Sequence, residues 1–191
     1  MPEKKVKYKV GVIHGRFQVL HNDHIRYLLA GKQLCNYLIV GITNPDPSLT
    51  KDSKANPHRS KPFANPLTYY ERYVMTQMVL LEQGLKYSEF CIVPFPINIP
   101  ELIKHYVPIN AIFFLTIYDD WGREKKRYFE SLGFQIHVLW EVTIEHKGLS
   151  SSDIRKAMIQ NKEWEQFVPS SVARLMKEWD IITRLKKLSR L

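Results

Sequence analysis

The sequence predicts an α/β fold: a doubly wound parallel sheet of about five strands, helices on both faces, and a C-terminal helical tail. Three observations predict it. Short apolar runs of strand length alternate with segments of helical spacing along the chain. The run Ala111-Ile112-Phe113-Phe114-Leu115-Thr116 is continuously apolar, as strands buried on both faces are. The 191 residues include 45% hydrophobic and 25% charged residues, enough for one sizeable core.

In chain order, residues 7–13 read as a buried strand and 24–34 as a helix. Residues 37–42 form a second strand. Residues 45–64 are polar and carry four prolines, so they read as a long loop. Thr68 with Glu71 makes a capping-box pattern for a helix ending at Gly84. Residues 91–95 are the third strand, 99–106 a short helix, 111–116 the fourth strand. A helix over 121–132 closes at Gly133, and 135–140 form the fifth strand. Helices over 152–160 and 170–188 finish the chain. We divide it into residues 1–162 and a tail, 163–191, packed on the same domain.

Formal net charge is +9, from 28 Lys and Arg against 19 acids, which favours anionic partners. Part of the excess lies in Lys177, Arg184, Lys186, Lys187 and Arg190, a pattern more typical of a solvated helix face than of a nucleic-acid arm. No run approaches the roughly 20 apolar residues needed to span a bilayer. The N-terminus has no signal-peptide core, so a cytoplasmic protein is expected. Cys35 and Cys91 sit in apolar runs and read as buried free thiols.

In such sheets ligands sit outside the carboxyl ends of the strands. Residues 14–24, Asn44 and 119–121 fall on that rim. Two fragments there carry chemistry. The first is Gly15-Arg16-Phe17-Gln18 followed by His21 and His24, three residues apart at a helix start. The second is Ser150-Ser151-Ser152-Asp153-Ile154-Arg155, at another helix start. Free amides and a positive dipole end favour phosphate at both. His21 and His24 offer hydrogen bonds, more strongly if protonated, and Arg16 and Arg155 offer bidentate clamps. Such a set suits a triphosphate attacked at its α-phosphorus, where positioning and charge stabilisation carry most of catalysis and Mg²⁺ bridges oxygens. Isolated, each fragment is a weak signal. A zinc site is disfavoured because no third ligand stands at a telling spacing.

Together the fragments resemble the nucleotidylyltransferase superfamily, with its HxGH and SSTxIR-type signatures. The Gly-Arg-Phe-Gln form is similar to the archaeal-type nicotinamide mononucleotide adenylyltransferases. Asn65-Pro66-Leu67-Thr68 with Glu71-Arg72, and the Trp164 to Pro169 segment, add to the likeness. It implies a Rossmann-like enzyme of NAD biosynthesis that moves AMP from ATP to nicotinamide or nicotinate mononucleotide and releases pyrophosphate, with Mg²⁺. By position, Arg16, His21, His24 and Arg155 would be catalytic. Gly15, Phe17, Ser150, Ser151 and Ser152 would bind the nucleotide. Trp121, Tyr118 and Arg72 are the candidates for the acceptor, the two aromatics by stacking on its ring. Small nucleotides are the expected partners, with no nucleic acid, no membrane, and self-association hinted by aromatics near the rim.

Asp23 departs from the resemblance, standing where the family has glycine, and Val19 replaces its usual proline. The loop with Lys51, Lys54, Arg59 and Lys61 is also long for the family. These departures keep other readings open: another phosphorylated acceptor with ATP or CTP as donor, a nucleotide sensor without turnover, or a basic nucleic-acid-binding protein.

Overall fold

The structure is a computed structural model that describes residues 6–47, 60–143 and 148–190. Among these residues five strands form one sheet: β1 Tyr8–Gly15, β2 Cys35–Thr43, β3 Phe90–Phe95, β4 Ile112–Ile117 and β5 Gln135–Glu141. Their spatial order is β3-β2-β1-β4-β5, with every neighbouring pair parallel. The order reverses at β1, so the ligand crevice of a doubly wound sheet opens between β1 and β4. Pairing there covers only Gly11↔Ile112 and Val12↔Phe113. The strands therefore part toward their carboxyl ends, and the gap is the floor of the crevice.

Among the described residues six α-helices accompany the sheet: α1 Asn22–Lys32, α2 Tyr69–Glu82, α3 Asp120–Ser131, α4 Ser151–Ile159, α5 Ser170–Glu178 and α6 Ile181–Leu188. Alternation along β1 divides the core. Ile13 packs with Leu28, Met75, Val79, Ile154, Val172 and Leu185 on one face. Val12 packs with Ile39, Ile103, Phe113 and Phe129 on the other. The strand and helix types match the expectation from the chain, and α2 and α3 end before Gly84 and Gly133 (φ 82° and 83°).

Three local expectations need correction. Residues 99–106 hold a 3-10 helix, Pro100–His105, rather than a short α-helix. A further 3-10 turn, Pro62–Ala64, lies inside the segment read as irregular, of which Lys51, Lys54 and Arg59 fall outside the described residues. The final helix over 170–188 is two helices. Asp180 adopts φ 49°, ψ 41°, a left-handed conformation that breaks the ladder and turns α6 so that Ile181 and Leu185 are buried.

The tail is docked as well as packed. Ser170 and Ser171 donate their hydroxyls to Glu82 at the end of α2. Arg184 clamps the Glu71 carboxylate through both terminal nitrogens, at 2.7 and 2.8 Å. Lys177 pairs with Glu165, and Lys186 donates to Asn161. The basic run is thus largely engaged within the fold. No helix among the described residues is long and apolar enough to cross a membrane. Cys35 and Cys91 are free, Cys35 buried and Cys91 half-buried.

Candidate active site

The turn after β1 is the centre of the site. Phe17 takes φ 51°, a region non-glycine residues seldom visit. Its ring is buried and meets His24 edge-on at 5.2 Å. Gln18 is buried and its side-chain amide bridges Leu67 in both directions, donating at 3.0 Å and accepting at 2.9 Å. Gly-Arg-Phe-Gln and the Asn65 to Thr68 segment, distant in sequence, are therefore hydrogen-bonded to each other.

α1 begins at Asn22, two residues earlier than expected, which makes His21 the N-cap and puts His24 in the first turn. The two imidazoles stack at 3.8 Å, tilted by 32°. The His21 amide lies 3.4 Å from His24 Nδ1, so that nitrogen accepts and the neutral ring carries its proton on Nε2. Burial lowers the His21 pKa to about 4 despite the pull of Asp23 and Asp153. Burial, with His21 and Arg16 adding to it, holds His24 well below the ordinary value. Free His21 and His24 are therefore neutral donors at neutral pH, not the stronger cationic ones. A triphosphate would raise both values again.

The second fragment is sewn to the first. The Arg155 guanidinium donates through Nη1 to the Gln18 carbonyl. Ser151 donates its hydroxyl to the Val19 carbonyl at 2.9 Å. Ser150 caps α4, its hydroxyl donating to Asp153 at 2.6 Å and accepting from the Asp153 amide. So Ser150 spends both its hydroxyl and its amide on Asp153, Ser151 spends its hydroxyl on Val19, and the Ser151 and Ser152 amides at the helix start are the groups left to face an anion. Burial lowers Arg155 to about 10, still cationic at neutral pH.

Two adjoining cavities of about 530 and 580 Å³ flank this turn. The first brings together Arg16, His21, His24, Arg155, Gly15, Phe17, Ser150, Ser151, Ser152, Tyr118 and Trp121. The second extends over the ends of β2 and β3, past Thr43, Asn44 and Asn98, to Lys125 and Tyr128 on α3. His14, Gly15, Arg16, Phe17, His24, Trp121 and Ser151 line both. Trp121 is 46% exposed, with the Lys125 ammonium 5.4 Å from its ring. Tyr118 accepts the Trp140 indole N–H at 3.1 Å.

Arg72 is the residue the structure reassigns. It lines neither cavity and is 2% exposed. Its guanidinium donates to the carbonyls of Arg16, Thr43, Asn44 and Thr68 at 3.0, 2.6, 2.8 and 3.2 Å. It fastens the β1 and β2 ends together and is a positioning residue. Its helical spacing gave no hint, because three of the four partners are backbone carbonyls on two other segments.

Asp23 has a spatial explanation. A Cβ placed on Gly148 would run into its carboxylate. The acid where the resemblance has glycine thus lies against Gly148, two residues before the second fragment. Gly148→Ala should force Asp23 aside and lower turnover, while Asp23→Gly in that background should relieve it. A double-mutant cycle on turnover should give a coupling of roughly 0.5–3 kcal/mol, and additive effects would contradict the contact.

Protonation also predicts a stability profile. His14, His21 and His24 all have depressed values in the folded state. Below about pH 6.5 the unfolded chain takes up protons that the folded chain refuses. Stability should therefore fall as pH drops from about 6.5 toward 4, the value near which His21 titrates. Urea midpoints across that range check this, and a flat profile would contradict it.

The crossover topology, the two cavities and the phosphate-ready helix starts define a nucleotidyltransferase of Rossmann-like fold. A family model described as cytidylyltransferase-like matches residues 12–157. The chain belongs to that family, within the nucleotidylyltransferase superfamily. It is similar to the phosphonoformate cytidylyltransferase of Streptomyces viridochromogenes, at 46% identity over 92% of this chain and 95% of that protein. It is also similar to the nicotinamide-nucleotide adenylyltransferase of Thermococcus onnurineus, at 30% identity over 95% of this chain and 89% of the relative. In fold it matches a bifunctional NMN adenylyltransferase/ADP ribose pyrophosphatase from Francisella tularensis, with a TM-score of 0.66 and 16% identity. That match covers 94% of this chain and 53% of the other, so the chain spans about half of that structure.

Proposed function

We propose that this enzyme transfers a cytidylyl group from CTP to a small phosphonate and releases pyrophosphate. The observation that carries the reading is the 46% identity, over nearly the whole of both chains, to the phosphonoformate cytidylyltransferase. The adenylyltransferase relatives stand at 28–30%.

The triphosphate lies in the cavity of His21, Ser150, Ser152 and Arg155, and the acceptor in the cavity beyond Thr43. The α-phosphorus then sits at their shared wall, beside Arg16 and His24. An acceptor oxygen forms a bond to that phosphorus. The bond to the bridging oxygen breaks, and its electron pair leaves with pyrophosphate. His24 Nε2–H and Arg16 face the charge at the α-phosphate, while Arg155 and the α4 amides face the departing pyrophosphate. No covalent intermediate is needed.

Among the described residues no group of three His, Cys, Asp or Glu side chains could hold a metal. Mg²⁺ would be brought by the triphosphate and would neutralise its charge, and Asp23, a carboxylate lining that cavity, would be the side chain to hold it.

A second reading, adenylyl transfer to nicotinamide or nicotinate mononucleotide, draws on Gly-Arg-Phe-Gln and on Trp121 and Tyr118 at the cavity wall. Pyrophosphate release with Mg²⁺ separates the two. CTP with phosphonoformate should turn over, and ATP with either mononucleotide should not. The opposite result would establish the second reading.

A further inference from the structure

His14 and Thr43 stand apart from both motifs. His14 is 5% exposed and Thr43 is 3% exposed. Among the described residues neither ring nitrogen of His14, nor the Thr43 hydroxyl, has a hydrogen-bond partner. Buried polar groups of this kind normally have one, and leaving them unmet is costly. Both line the cavity over the β2 and β3 ends.

The sheet register puts them on one face. His14 is level with Gly41, and Thr43 is two residues further along the same strand. Phe95 pairs with Thr43, and its ring stacks on His14 at 4.7 Å and 11°. A Cβ on Gly41 would lie 2.6 Å from the Phe95 ring, so glycine there lets the ring lie flat under the imidazole. Burial, reinforced by Lys125, keeps His14 neutral, so the ring has one N–H to give. The site thus presents two uncharged donors, an imidazole N–H and a hydroxyl. Arg16 and Lys125 line the same cavity with one carboxylate, Glu124, so its charged lining is cationic on balance.

We propose that His14 and Thr43 are the specificity pair for the non-attacking end of the acceptor, donating hydrogen bonds to a carboxylate carried beside its phosphonate. This rests on the cytidylyl-transfer reading and extends it from a reaction to a substrate class. Thr43 lines the second cavity and not the triphosphate one, while His14 stands on the wall between the two. The pair therefore faces the acceptor beyond the reacting phosphorus.

His14→Phe keeps a ring to stack on Phe95 and removes the nitrogens. Thr43→Val keeps the shape and removes the hydroxyl. Each is assayed with CTP and Mg²⁺ against phosphonoformate and against methylphosphonate, which lacks the carboxylate. The wild type should prefer phosphonoformate. Each variant should raise the phosphonoformate KM about 10- to 100-fold, the loss expected for one hydrogen bond to a charged group, with the KM for CTP unchanged. The preference over methylphosphonate should shrink by the same factor. Retention of the preference in both variants overturns the pair while leaving cytidylyl transfer intact. An equal loss on both acceptors, or a fall in thermal midpoint that accounts for it, marks a structural role and also overturns it. A wild type that turns over no phosphonate overturns the reaction reading, and this assignment with it.

Discussion

Substituting alanine for His24 is expected to lower kcat by about 10²- to 10³-fold, the usual cost of removing one preorganised donor from a developing charge. The geometry makes His24 a fixed donor. Its Nδ1 faces the His21 amide, its face is stacked on His21, and Phe17 supports it edge-on. None of these contacts needs the substrate, so the ring is held before the nucleotide arrives. The donor acts most strongly where charge accumulates, so the KM for nucleotide should move much less than kcat. The side chain is half-buried at a helix start, and its removal should leave the thermal midpoint close to that of the wild type. Single-turnover rates on both proteins check the expectation. An effect confined to nucleotide affinity would show that His24 binds the ground state only.

Arg72→Leu should destabilise the protein by about 3–5 kcal/mol and abolish most activity. The wild-type guanidinium reaches four carbonyls, three on two rim segments and one at the N-cap of its own helix. Leucine leaves several of them buried without a donor, at about 1–3 kcal/mol each when no water can replace it. The rim segments of Arg16, Thr43 and Asn44 would lose their common anchor; Arg16 lines both cavities, and Thr43 and Asn44 line the second. Lysine should rescue poorly, because one ammonium cannot span the positions that a planar fork reaches. Urea denaturation gives the stability loss. Kinetics under conditions where the variant remains folded give the second part, with acceptor and nucleotide KM both raised. A variant that keeps wild-type stability would show that water satisfies the carbonyls and that the clamp is dispensable.

The alternation of apolar runs was enough to read five strands, because the central strands are buried over most of their length and even the half-buried edge strands β3 and β5 carry apolar runs with no clear polar period. Gly84 and Gly133 marked two helix ends, since positive φ is easy only for glycine. Residues 170–188 misled, because helical periodicity runs through Trp179 and Asp180 without a glycine or proline. The break there rests on packing of Ile181 and Leu185 against the core. Arg72 misled for a related reason: an arginine beside a phosphate-binding turn looks the same in sequence whether it points at ligand or at carbonyls. His14 was visible only as a rim residue. Its significance depends on the absence of a protein partner and on the aromatic ring beneath it, which no spacing encodes.

The sequence alone determined the parallel α/β architecture and the two phosphate-binding fragments, since strand burial, helix starts and residue chemistry are local properties written at short spacing. Only the folded molecule decided that Gln18 and Val19 carbonyls join those fragments, that burial leaves the paired imidazoles uncharged, and that Asp23 rests on Gly148. Those outcomes depend on groups up to 137 positions apart meeting in space with water removed, and desolvation at a shared wall has no one-dimensional signature.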